Sequence, residues 1–347
     1  MATLPSASPV GAAVAKPTAA GKHSSLWGPV LRRLLADGAA RCAAVLLLAI
    51  VLACAGAPLY ASLIAQTDPF RSNISGEITI DGVQRPVIAD NTEGLGLGQT
   101  PIGPTWRAQY LLGADSQGRD VAARLLYGGR ASLLIATVAT VLCMVLGGAL
   151  GIVAGYFGGV IDAVLSRLLD VLWAFPVYLL AISLSIVAVG SGLHIGPLVI
   201  DSGNPLLPAF IIGLVGAPYV ARPVRAQVQA LRNSDFVLAA IGIGVPTPRI
   251  LLVDVLPNVT STLLVLVPLL MAINMLTESA LSFLSIGVQA PAASWGTIIQ
   301  DGIALLYTRP LVALAPGVAI MLTVLALNLL GEALRDALDP RSLGRRG

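Results

Sequence analysis

Six stretches of this chain run without Asp, Glu, Lys or Arg for long enough to cross a bilayer: residues 42–67, 131–161, 171–200, 202–221, 255–277 and 310–331. A helix needs roughly 20 apolar residues to traverse the ~30 Å hydrocarbon core. Inside that core each backbone N–H and C=O must find its partner within the protein, which a continuous helix does by itself. The chain is thereby constrained to a bundle of spanning helices. Its composition agrees, with 56% hydrophobic and 11% charged residues, against about 25% charged in soluble domains. A further uncharged stretch, 279–300, holds Gly287, Pro291, Ser294 and Gly296. It reads as a helix end followed by a loop, with a re-entrant segment as the alternative.

The division expected is a largely disordered amino segment over 1–40, a first transmembrane helix over 41–67, and an extracytoplasmic insert with an interfacial helix over 68–130. A core with transmembrane helices 2–6 follows over 131–341, and a short tail over 342–347. The first apolar run is too long, and starts too far in, for a cleaved secretory leader; residues 1–25 are rich in Pro, Ala and Ser and read as disordered. An even number of spans places both termini on one side. Lys16, Lys22, Arg32, Arg33, Arg41, Arg167, Arg222, Arg225, Arg232, Arg249 and Arg335 all fall on that side, which the positive-inside rule makes cytoplasmic.

In the insert, Asp81-Gly82 between β-prone residues signals a hairpin, and the glycines from Gly94 to Gly98 signal a loop. Val121, Leu125 and Leu126 share a helical face opposite Arg119 and Arg124. This gives an amphipathic turn or two at the outer interface, leading into span two. Gly147, Gly148, Gly151 and Gly155 lie on or near one side of span two, where small residues let backbones approach closely. Pro176 and Pro268 are expected to kink spans three and five. Arg167 and Asp170, three residues apart, are expected to pair. Cys42, Cys54 and Cys143 show no metal-ligand spacing and read as small apolar fillers, His194 as a loop residue. A net charge of +3, with no basic stripe interleaved with aromatics, gives no nucleic-acid signal.

One segment fits neither lipid nor water. After Asn233 or Ser234, either able to cap a helix, come Asp235, Phe236, Val237, Leu238, Ala239, Ala240, Ile241, Gly242, Ile243 and Gly244, with Arg249 beyond. A helix near 234–246 is too short to span and too apolar to stand free. Docked into a groove on a partner protein it becomes helix-in-groove recognition; otherwise it lies on lipid. Glu278 interrupts an apolar stretch, and a membrane carboxylate is costly enough to be a functional candidate. It either lines a pathway or braces span five against a neighbour. Glu278, Arg119 and Asp120 are the candidates for the pathway or a gate. The residues show no catalytic triad and no carboxylate pair placed for acid/base work.

The stretch from Asp235-Phe236-Val237-Leu238-Ala239-Ala240 through Gly244, then Arg249-Ile250-Leu251 and Leu256-Pro257-Asn258, resembles the coupling segment of permease subunits of binding-protein-dependent ABC importers. Leu112-Gly113-Ala114-Asp115-Ser116-Gln117-Gly118-Arg119-Asp120 is similar to a motif of their dipeptide/oligopeptide branch, as are Ala280-Leu281-Ser282-Phe283-Leu284 and the tail Leu334-Arg335-Asp336-Ala337-Leu338-Asp339-Pro340-Arg341. The resemblance covers about 111–341. Leu238, Ile241 and Asp254 depart from the Glu, basic residue and His common there, so this helix is more apolar than the family pattern.

The resemblance implies an all-α polytopic fold with six transmembrane helices of the ABC importer permease type. It implies half of a translocation pathway for peptides or related solutes in the bacterial inner membrane. The implied partners are a second permease, two cytoplasmic ATPase subunits and an extracytoplasmic binding protein. ATP and Mg would be held by the ATPases, since no Gly-x-x-x-x-Gly-Lys-Ser/Thr loop occurs here. The competing readings are an ion-coupled secondary transporter, which calls for inverted repeats and midplane charges, and an intramembrane enzyme, which calls for paired polar residues within spans.

Overall fold

The computed structural model describes residues 27–80, 82–91, 98–191, 193–195, 198–200 and 204–338. The readings made on residues 1–25, Asp81, the glycine-rich 94–97 and the tail 339–347 lie outside the described residues.

Ten main helices carry the fold. They are α1 (Trp27–Ala36), α2 (Gly38–Ala55), α3 (Val121–Phe157), α4 (Gly159–Ala174), α5 (Val177–Ser191), α6 (Leu206–Arg232), α7 (Asp235–Gly242), α8 (Leu256–Phe283), α9 (Trp295–Gly302) and α10 (Leu311–Leu338). Among the described residues, five segments are long and apolar enough to cross a membrane: α2, α3, α6, α8 with the turn before it, and α10. The bent pair α4 and α5 brings the total to six if it counts as one span.

Within the amino segment, Trp27–Ala36 form a helix. In α1 the apolar Val30, Leu31, Leu34 and Leu35 alternate with Arg32 and Arg33 at helical spacing. Val30 is buried, and Arg33 Nη1 donates to Ala337 O at the end of α10. That tertiary contact holds a ten-residue helix too short to persist alone.

Span three departs from the even run of 171–200. Proline lacks an N–H and forces the residue before it out of the helical region. Phe175, before Pro176, is extended (φ −85°, ψ 137°). The chain turns by 91° there. After α5 it closes a hairpin in which Leu193–Ile195 pairs antiparallel with Leu198–Ile200, placing His194 opposite Val199. Pro268, by contrast, sits within the continuous α8.

The central seam is α3 against α6. A Cβ added at Gly147, Gly151 or Gly155 would lie 2.5, 2.6 or 2.7 Å from the carbonyl oxygens of Ala217, Ala221 and Arg225 respectively. The two sets rise together, so the helices run parallel with their backbones in contact. Gly148 does not belong to this seam; it faces Leu263 of α8 with ordinary spacing.

The insert packs a small core of Ile78, Val87, Tyr110 and Ala114. Strands β1 (Glu77–Ile80) and β2 (Val83–Pro86) form the hairpin expected there, with Ile80 opposite Val83, and β3 (Ile88–Asp90) pairs with β4 (Gln99–Pro101). No separate interfacial helix follows: Val121 to Arg130 are the first turns of α3. At 37 residues and ~1.5 Å per residue, α3 is about 55 Å long, well beyond a ~30 Å core.

Candidate functional sites at the two ends of the bundle

The end of α3 away from the insert carries α7. Ser234 stands in the N-cap position with extended backbone, yet its side chain does not cap. Its Oγ donates back to Leu231 O at 2.6 Å, tying the turn to α6. Neither polar candidate is the cap the sequence suggested; Asp235 supplies negative charge to the first turn instead. The other end is closed by local chemistry. Gly244 adopts φ +79°. Val245 N donates to Ala240 O and Gly244 N to Ile241 O, the double bond pattern of a Schellman stop.

Val237 is fully buried in a cluster with Tyr156 of α3, Val228 of α6, Ile250 and Val255 just before α8, and Val259 within it. Its burial contributes about 1.5–3 kcal/mol. Ala240 and Val245 pack beside it. The helix is thus fixed to the ends of three long helices. Phe236, Leu238 and Ile241 remain about half exposed, and Ile243 is 82% exposed. Ala239, Gly242, Gly244 and Arg249 are exposed as well. Phe236, Leu238, Ile241 and Ile243 together form an exposed apolar patch at this end of the bundle.

Beside α7, Asp162 accepts both Arg225 Nε at 2.5 Å and Arg225 Nη2 at 2.7 Å. Asp170 pairs at 2.9 Å with Arg222, not with Arg167. Arg222 reaches it from α6 while stacking 4.2 Å over the Trp173 ring. A flat guanidinium that both pairs and stacks is held better than a flexible neighbour on the same helix.

At the insert end the Arg119 and Arg124 side chains, expected at the interface, are 5% and 2% exposed. Arg119 Nε donates to Asp115 at 2.7 Å and its Nη2 to Asp301 of α9 at 2.9 Å. Arg124 Nη2 donates to the same Asp301 oxygen at 3.0 Å, and its Nη1 to Pro69 O. Two cations and two carboxylates therefore lock the insert, α3 and α9 together. Asp120 caps α3 by accepting Ala122 N and Ala123 N, while its other oxygen accepts Tyr110 N at 2.8 Å. Burial pushes its carboxyl pKa up, against these N–H bonds, which favour the anion.

Glu278 of α8 is completely buried. Ser282 Oγ donates to it at 2.7 Å and Ser279 Oγ at 3.3 Å. The hydroxyls of Ser132 on α3 and Ser294 at the cap of α9 also lie beside it. Ser132 Oγ accepts Trp295 N, and Ser294 accepts Thr297 N. The carboxylate and these serines sit where α3, α8 and α9 meet, with Trp295 N on Ser132 Oγ as the bond between α3 and α9. Neither Glu278 nor Asp120 reaches a surface of this chain, whereas Arg119 lines a cavity. Sequence reading missed Asp115 and Asp301 as partners and the serine cage, whose members are scattered from 132 to 294. Among the described residues no group of His, Cys, Asp and Glu is placed to hold a metal.

Long apolar helices joined backbone to backbone, with a short apolar helix displayed between two of them, define a polytopic helical membrane protein. The comparisons sharpen this. Residues 147–343 match the family described as binding-protein-dependent transport system inner membrane component, and the chain belongs to that family. It is 38% identical to the dipeptide transport system permease protein of Alkalihalophilus pseudofirmus, over 67% of this chain and 73% of that protein. The oligopeptide transport system permease protein of Haemophilus influenzae is 35% identical over 69% of this chain and 72% of its own length. The glutathione transport system permease protein of Pectobacterium atrosepticum is 36% identical over 67% and 73%.

Proposed function

We propose that this chain forms half of the translocation pathway of an ATP-driven importer for peptides or closely related solutes. The observation that carries the mechanism is α7. Its Val237 face is bound to the ends of α3, α6 and α8, while Phe236, Leu238, Ile241 and Ile243 face outward. A groove on a cytoplasmic ATPase subunit that takes these side chains can pass its own movement directly to three long helices. Residues 234–244 and Arg249 form this joint. Hydrolysis of ATP, with its Mg, belongs to two such partner subunits.

A second permease completes the pathway, and an extracytoplasmic binding protein delivers the solute to the insert end. Both termini then lie in the cytoplasm, a placement the arginine distribution supports. Support for peptides comes from the relatives' substrates. Asp120 and Glu278 act within this scheme as braces that keep the outer end rigid while α7 moves.

The test is co-purification with the ATPase subunits, joined to uptake of a labelled dipeptide in vesicles. Phe236→Asp and Ile241→Asp change exposed side chains, so the chain should still fold and insert but lose its ATPases and its uptake. Uptake that survives ATP depletion and follows an ion gradient would overturn the reading.

A further inference from the structure

An open groove of about 500 Å³ lies where the first span ends and the insert begins. Helical structure continues past α2 through Ala57–Leu59 and a wider turn over Tyr60–Ala65. It stops at Gln66, which adopts φ 51°. Arg41 is the last charge before the run 42–67. With Arg41 at one boundary and ~1.5 Å of rise per residue, a ~30 Å hydrocarbon layer ends near Ala61, which lines the groove. The groove therefore opens at the height of the lipid headgroups on the insert side of the membrane.

Its surroundings divide by chemistry along the membrane normal. Leu59, Leu63 and Ile64 are exposed on the same stretch of chain, a surface suited to acyl chains. Phe70 and Tyr127 line the groove edge to face, with ring centroids 5.1 Å apart, and aromatic rings favour this height. Arg130 is the last charge before the run 131–161. Helical side chains lean toward the amino end, and α3 begins on the insert side. The Arg130 guanidinium accordingly lies 5.6 Å from the Tyr127 ring centre, one turn nearer the surface. It is exposed, and among the described residues no carboxylate pairs with it. Asp68, also exposed, lines the groove farther out, with its Oδ1 accepting Phe70 N. Its neighbour Thr67 bonds Asp120 at the start of α3, ten residues or ~15 Å of helix before Arg130. The Gln66 amide in the wall has no hydrogen-bond partner among the described residues. A free cation thus sits deep and a carboxylate shallow.

We propose that this groove seats the headgroup of a phosphatidylethanolamine from the leaflet on the insert side, its phosphate on Arg130, its ammonium on Asp68 and an acyl chain along Leu59 and Leu63. The order of charges matches that lipid, whose phosphate lies nearer the hydrocarbon than its ammonium. Guanidinium suits phosphate. A primary ammonium donates three hydrogen bonds, and Asp68 and the Gln66 carbonyl oxygen can accept them. Phosphocholine has no N–H to give, and phosphoglycerol brings no cation to Asp68. The proposal rests on the chain spanning a membrane and not on the solute it carries.

The complete transporter is reconstituted in vesicles of equal parts phosphatidylethanolamine, phosphatidylglycerol and phosphatidylcholine. It is then re-extracted in mild detergent, and the phospholipid it keeps is read by native mass spectrometry. Phosphatidylethanolamine should be kept over each of the others by about two- to fivefold, the range of one partly exposed ion pair. Asp68→Asn should erase that preference while phospholipid is still kept. Arg130→Gln should lower the phospholipid kept, whatever its headgroup. Both side chains are exposed and outside the ion cluster at Asp301, so folding and assembly should hold. Equal retention of the three lipids by the parent overturns the proposal. A preference that survives Asp68→Asn, or retention unchanged by Arg130→Gln, overturns it too. A parent without bound lipid, whose Arg130→Gln variant loses the second permease, assigns the groove to a protein contact and likewise overturns it.

Discussion

Removing one carboxylate from the outer charge cluster tests whether the four charges act as one unit. Asp301→Asn keeps the shape of the side chain but leaves the Arg119 and Arg124 side chains, 5% and 2% exposed, sharing Asp115 alone. Breaking a fully buried pair by deleting one partner costs about 3–5 kcal/mol. The Asp301 side chain is 28% exposed, so water softens the loss, and about 2–3 kcal/mol is expected. Arg119→Gln strands two carboxylates on Arg124 and should cost a similar amount. The double variant restores charge balance around Arg124. If the cluster is a network, the double variant costs about 2 kcal/mol less than the sum of the single ones, within the range seen for residues in one network. The assay is reversible denaturant unfolding of the purified protein in mixed micelles. Hydrogen exchange of α9 provides the local readout, because Asp301 sits in that helix. Additivity within ~0.5 kcal/mol, or unchanged exchange in α9, would refute the reasoning.

Gly244→Ala forces a side chain into φ +79° at a cost of about 1–2 kcal/mol; coupling of ATP hydrolysis to uptake should fall while membrane insertion holds, as read by uptake per ATP in vesicles. Gly151→Ala would set a methyl 2.6 Å from Ala221 O, a backbone atom that cannot swing aside. A loss of about 1–3 kcal/mol follows, and an unchanged unfolding midpoint would show the α3–α6 seam to be looser than described. Glu278→Ala leaves the Ser279 and Ser282 hydroxyls without their acceptor and should open the 284–294 connection to protease, whereas Glu278→Gln retains part of the cage and should resist longer. Equal cleavage rates for the two variants would remove the carboxylate's bracing role.

Much of this protein can be read locally. Apart from the bent third one, the spans follow from charge-free runs because lipid tolerates so few ionised groups that a break in apolarity is visible one residue at a time. The stop of α7 is equally local: Gly244 is the residue able to turn left-handed there, and Val245 and Pro246 complete the signal. The closely packed face of α3 shows in Gly147, Gly151 and Gly155, although not which helix would meet it, nor that Gly148 would point elsewhere. The helix proposed as the joint is legible as a contradiction, apolar yet too short to cross lipid.

The tertiary structure decided what depends on distance in the chain. Asp170 could have paired with Arg167 on its own helix; α6 delivers Arg222, which also stacks on Trp173. Arg119 and Arg124 look like interfacial arginines until α9 brings Asp301 to them from the far side of the sequence. Glu278 reads as a lone charge until the fold buries it with Ser279 and Ser282 bonded to it and Ser132 and Ser294 beside it. Periodicity and composition report which face of a helix is apolar, because solvation acts on each residue where it stands. They do not report partners, because a buried charge is settled by whichever group the fold carries to within 3 Å.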